Sequence, residues 1–121
     1  MNFIEVNAQE YTNMTQDFNL IAFGSDSYKQ SHWNLYPEGT EYVYSYCEAR
    51  AGARFPDSVF FGLQYILSRY LAGRVVTQEK IEEAAEVCKA HFGSDKVFNT
   101  EGWEYILNNH GGMFPIKIKA L

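Results

Sequence analysis

The chain has 121 residues, one domain's worth of protein, with 46% apolar and 21% charged residues, an ordinary globular balance that excludes a disordered tail. Its net charge of −5 excludes a phosphate backbone as the main partner, because nucleic-acid binding needs basic patches. Aromatic residues reach 17%, with nine Tyr, nine Phe and two Trp, enough large rings to line a ligand pocket or a partner surface as well as a core.

Residues 1 to 18 are polar with scattered apolar positions and no period, and they are read as an N-terminal arm. The arm has no basic residue and no continuous apolar core, so it does not describe a secretory signal. Lys29 is the only Lys or Arg before Arg50, in a stretch that holds seven carboxylates. Residues 19 to 121 are read as one domain.

Asn19 to Phe23 (NLIAF) is a short apolar run closed by Gly24, and it predicts a buried strand or extended segment. Ser25 or Asp26 can then cap a short helix through Tyr28, His32 and Trp33. Pro37-Glu38-Gly39 is a turn signal. Thr40 to Arg50 (TEYVYSYCEAR) alternates Tyr42, Tyr44 and Tyr46 with Val43, Ser45, Cys47 and Ala49, which predicts a strand covered on both faces.

Three helices are expected after a loop at Ala51 to Pro56. The first is capped by Asp57 and stops at Gly73, with Phe60, Leu63, Leu67 and Tyr70 at helical spacing. The second begins at Thr77 and ends near Gly93, with Glu79, Glu82 and Glu83 near its positive end and a thin apolar face of Ile81, Ala84, Ala85 and Cys88. The third starts near Thr100, carries Trp103, Ile106 and Leu107, and breaks at Gly111-Gly112. In Phe114 to Leu121 (FPIKIKAL), Ile116 and Ile118 alternate with Lys117 and Lys119, the pattern of a half-exposed strand. A strand needs a partner ladder, and one with no turn after it reads as an interrupted domain. The fold class that follows is α+β: an incomplete domain with a few strands and about three helices.

The usual sources of chemistry are missing. His32, His91 and His110 have no metal-ligand spacing with one another or with Cys47 or Cys88, and no nucleotide-loop or nucleophile-elbow motif occurs. Two cysteines without CxxC spacing read as reduced structural thiols of a cytosolic protein. No apolar stretch approaches the roughly 20 residues of a membrane span. Glu82, Glu83 and Glu86 read as a solvated helix face.

One constellation stands out: Asp26-Ser27-Tyr28-Lys29-Gln30-Ser31-His32-Trp33, followed by Tyr44-Ser45-Tyr46 and Glu48-Ala49-Arg50. Asp26 and Tyr28 stand at the start of a short helix, where backbone amides can hold an anion. Lys29 adds a cation, and Tyr28 offers a flat face for a heteroaromatic ring. The bland alternative has Asp26 as a helix cap, Tyr28 as a core aromatic, Lys29 as a surface charge and Arg50 as a strand end.

The segment DSYKQSHWNLYPEGTEYVYSYCEAR resembles the opening of nicotinamide phosphoribosyltransferases. Val59 to Leu67, Val97 to Trp103 and Pro115 to Ala120 resemble the segments that follow, in the family's order and at similar spacing. The resemblance implies transfer of phosphoribose from phosphoribosyl pyrophosphate to nicotinamide, giving nicotinamide mononucleotide for NAD salvage. It implies a homodimer whose active sites lie between subunits, or a partner chain that carries the barrel. Tyr28 matches the tyrosine that stacks on nicotinamide across the dimer, Asp26 the acid beside the ring and ribose, and Arg50 an arginine that reaches phosphate. Lys29 and His32 match motif positions with supporting roles.

The resemblance also implies further strands and an α/β barrel that hold the catalytic residues, none of which is in this sequence, so the chain by itself is expected to be inactive. It is expected to bind no cofactor alone, with Mg and ATP belonging to the complete enzyme. The alternative reading is a non-catalytic interaction module, or a relic, that docks on a full-length phosphoribosyltransferase.

Overall fold

The clearest helix signal in the chain gives its best-built helix. In the computed structural model, which describes residues 18–59 and 61–119, Thr77 stands in extended backbone and its hydroxyl accepts the Lys80 amide at 3.4 Å. Helix α3 (Gln78–Phe92) runs from there to Gly93, whose left-handed φ of 68° closes it with a bond from its amide to the Lys89 carbonyl at 2.9 Å. Spacings of three and four bring Ile81, Ala84 and Cys88 onto one buried face.

Helix α4 (Thr100–Asn109) starts under Asn99, whose side chain accepts the Gly102 amide at 3.0 Å. It lays Trp103, Ile106 and Leu107 against the core. Past its end, Gly112 takes a φ of 79° and its carbonyl accepts the Val75 and Val76 amides at 3.0 and 2.9 Å. A Cβ on Gly112 would collide with the Val76 carbonyl, so the close return of the chain requires glycine here.

The N-terminal part closes the core from the other side. Asn19 caps helix α1 (Leu20–Phe23), which packs Ile21 against α3. The buried set is Ile21, Val76, Ile81, Ala84, Cys88 and Phe98, with Trp103, Leu107 and Phe114 packed against it. Burying an aliphatic side chain of this size contributes about 1.5–3 kcal/mol, so this cluster is what holds the described fold.

The structure corrects the expected α+β class. Among the described residues there is no strand. Thr40 to Arg50 has the period-two pattern of a strand, but a pattern becomes a strand only when its amides and carbonyls meet a ladder, and none lies beside it. Its rings stand in solvent, Tyr42 at 90% exposure and Tyr44 at 87%. The alternation at residues 114–119 pairs with nothing for the same reason, and residues 120 and 121 lie outside the described residues.

Asn19 to Phe23 is helical rather than extended, because the Asn19 side chain captures the Ile21 and Ala22 amides and nucleates a turn. The helix expected from Asp57 starts late, as α2 (Leu63–Ile66), behind Gly62 in left-handed backbone at φ 84°. It then widens into a π-helical turn, Leu67–Leu71, in which the Ala72 amide reaches back five residues to the Leu67 carbonyl at 2.8 Å. Phe60, placed on that helix by its spacing, and residues 1–17 of the arm lie outside the described residues. No helix among the described residues is long and apolar enough to cross a membrane.

Candidate functional site

The motif residues are carried by a 3-10 helix, Ser27–Leu35, that follows α1 directly. Asp26 precedes it with φ −58° and ψ 137°, and its carbonyl accepts the Lys29 amide at 3.0 Å. Its carboxylate makes no capping bond, which leaves an exposed acid at the entrance to the helix. Asp26 thus holds the N-cap position through its backbone alone. Tyr28 is 57% exposed, so it is not a core aromatic. Its ring lies 5.4 Å from the His32 imidazole at an interplanar angle of 58°.

Two long-range bonds fix this segment to the packed core. Gln30 donates from Nε2 to the Ile21 carbonyl at 2.7 Å, tying the 3-10 helix to α1. Trp33 donates from its indole to the Val97 carbonyl at 2.8 Å, 64 residues further on. Sequence reasoning missed both anchors, since no local spacing rule connects a tryptophan to a carbonyl so far along the chain. Their effect is to hold an exposed aromatic and an exposed acid on a braced turn rather than on a loose loop.

The structure brings Asp26, Tyr28, Lys29 and His32 together on that turn and does not bring Arg50 to them. Arg50 is exposed at the start of a turn in which its carbonyl accepts the Ala53 amide at 3.2 Å. No hydrogen bond or ring contact among the described residues joins its side chain to the motif. Beside the motif lies an open cleft of about 300 Å³ between Ala22 and Phe23 of α1, Ser27 and Gln30 of the 3-10 helix, and Cys88 and His91 of α3. Burial pushes the Cys88 thiol up from its ordinary value, so it is a poor nucleophile there. Tyr28 and Asp26 do not line this cleft.

Among the described residues no three His, Cys, Asp or Glu side chains converge to hold a metal ion. The turn exposes one tyrosine ring, one carboxylate and one ammonium. Arg50 adds a second cation with a planar fork suited to phosphate.

Two comparisons with known proteins bear on the family of the chain. Residues 20–118 match the family described as nicotinamide phosphoribosyltransferase, N-terminal domain. A nicotinamide phosphoribosyltransferase of Xanthomonas campestris pv. campestris (strain 8004) is 40% identical over 101 residues, which is 84% of this chain and 20% of that protein. The chain therefore spans about a fifth of the length of the curated relative it matches. By both comparisons, the chain belongs to the nicotinamide phosphoribosyltransferase family, over the family's N-terminal domain.

Proposed function

We propose that this chain serves as the N-terminal domain of a nicotinamide phosphoribosyltransferase and contributes Tyr28, Asp26 and Arg50 to an active site completed by the remaining four-fifths of such an enzyme. The reaction joins nicotinamide to the ribose of phosphoribosyl pyrophosphate, with pyrophosphate leaving, and supplies nicotinamide mononucleotide. Its place is the cytoplasm, and the working form is a dimer in which this domain faces the partner subunit's site. The observation that carries the reading is the 40% identity to a nicotinamide phosphoribosyltransferase across nearly the whole described chain.

The geometry supports the division of labour. A substrate ring that stacks on Tyr28 exchanges water on both faces for an aromatic contact, a term of about 0.5–1.5 kcal/mol beyond the area it buries. Asp26 has no capping duty to compete with a ligand hydroxyl or amide. Arg50 is exposed and pairs with no carboxylate among the described residues, which leaves its guanidinium open to phosphate oxygens. Lys29 and His32 support the turn.

The test is a chimera in which this chain replaces the matched fifth of the Xanthomonas campestris enzyme, assayed for nicotinamide-dependent pyrophosphate release. Activity that falls when Tyr28→Ala raises the KM for nicotinamide about three- to tenfold supports the assignment. An inactive chimera, or a Tyr28→Ala variant with unchanged kinetics, overturns it. The exposed row Tyr42, Tyr44 and Tyr46 favours a second reading, a non-catalytic module that docks on a full-length enzyme. An inactive chimera together with stable binding of the chain to the intact enzyme would select that reading.

A further inference from the structure

We propose that His32 is a positioning residue that holds the Tyr28 ring in the orientation needed to stack on a small heteroaromatic substrate; the inference rests on the reading of Tyr28 given above. The contact between the two rings does not follow from helical register. In a 3-10 helix the side chain above Tyr28 is the one three residues on, Ser31, while a residue four on is offset by about a third of a turn. Ser31 does not support the ring, because its hydroxyl is bonded to the Tyr28 carbonyl at 2.8 Å. The lateral support comes from His32 instead, whose imidazole leans to within 5.4 Å of the Tyr28 ring.

The two rings differ in how firmly they are held. Tyr28 is more exposed than buried, whereas His32 is half-buried and lies between the two anchors of the segment, Gln30 to α1 and Trp33 to the Val97 carbonyl. His32 is the fixed wall and Tyr28 the ring that leans on it. An exposed tyrosine without such a wall would sample several rotamers, and ordering one of them on binding would weaken affinity. Preorganisation of this kind acts on binding of the ring and not on the phosphoribosyl substrate.

The experiment is a double-mutant cycle in the active chimera, with Tyr28→Ala, His32→Ala, His32→Phe and the pair Tyr28→Ala/His32→Ala. His32→Ala should raise the KM for nicotinamide about two- to tenfold, the range an aromatic pair supplies, with kcat and the KM for phosphoribosyl pyrophosphate little changed. His32→Phe should restore it, since a ring of similar width can replace the wall. In the Tyr28→Ala background, His32→Ala should have no further effect. A residue that only helped folding would lower active enzyme and hence apparent kcat at constant KM. If Tyr28→Ala raises the KM while His32→Ala does not, or if the two effects add in full, the positioning role is overturned and the reading of Tyr28 stands. If Tyr28→Ala itself leaves the KM unchanged, that reading falls with it.

Discussion

Replacing Asn19 with alanine should unfold the N-terminal closure of the core, and the structure gives the size of the effect. Asn19 is 4% exposed and its side chain makes four bonds. Its Oδ1 accepts the Ile21 and Ala22 amides at 3.1 and 3.3 Å, and its Nδ2 donates to the Lys80 carbonyl at 2.9 Å and to Glu83 Oε2 at 2.7 Å. Loss of the cap costs about 1 kcal/mol, as for other N-caps. The buried Ile21 amide is then left without a partner, and the two bonds that tie α1 to α3 disappear, for about another 1–2 kcal/mol. Exposed Glu83 recovers water, and the Lys80 carbonyl faces its own helix, which keeps the sum near 2–3 kcal/mol. At this chain length 1 kcal/mol moves Tm by about 4 °C, so Asn19→Ala should lower Tm by about 8–12 °C in a thermal melt followed by circular dichroism.

Asn19→Asp separates the two halves of that account. It keeps the acceptor for the cap, loses both donors, and sets a second carboxylate against Glu83. Like charges raise the carboxyl pKa values in the folded state, so this variant should gain stability relative to the parent as pH falls and one carboxyl takes a proton. A Tm for Asn19→Ala within about 2 °C of the parent would refute the reasoning, because a cap and a buried cross-link cannot both be idle.

Three further outcomes follow from single observations. Glu79 is held below the ordinary carboxylate range by the bond to its own backbone amide and then by the Thr77 hydroxyl, against desolvation, with a lesser help from the charge of Arg74. A depressed folded value stabilises the fold above the unfolded pKa, and that contribution is lost as pH falls through the folded one; Glu79→Gln should therefore flatten the acid limb of the stability curve, read by urea titration across acid pH. Gly112→Ala places a Cβ against the Val76 carbonyl at a φ of 79° and should cost about 3 kcal/mol, or prevent folding, in the same melt. Cys47 is exposed and Cys88 is 3% exposed with a thiol pushed up by burial, so a disulfide reagent should titrate one thiol in the native chain and both after unfolding.

The sequence was most readable where a local rule decides the structure. Thr77 and Gly93 mark the ends of α3, and Thr100 and Gly111-Gly112 bracket α4, because capping and left-handed closure depend on a few neighbouring residues. It was least readable where a distant partner decides. NLIAF has no periodicity long enough to tell strand from helix, and Asn19 settles the matter through bonds to a helix some 60 residues on. In Tyr42, Tyr44 and Tyr46 the strand pattern is present, but the ladder that would make it a strand is absent from the described residues. Of the candidate site, Asp26 and Tyr28 stood out through the family motif. Lys29, His32 and Arg50 stood out the same way, but the anchors Gln30 and Trp33, the contact of the His32 ring with Tyr28 and the separateness of Arg50 came only from the fold.

That separateness has a physical meaning when set beside the exposed aromatics. α1, α3 and α4 share one core, and the two bonds that brace the motif turn end on Ile21 within it and on Val97 beside its member Phe98. Residues 40–59 make no comparable attachment to the other described residues: Tyr42, Tyr44, Tyr46, Phe55 and Val59 all lie open, and Arg50 sits among them. A chain gains about 25 cal/mol for each Å² of apolar surface removed from water, so side chains this large and this bare represent several kcal/mol of burial that the described residues leave unrealised. The turn that carries Tyr28 is tied to α1 and to the Val97 carbonyl, whereas Arg50 stands on a stretch whose large side chains are exposed.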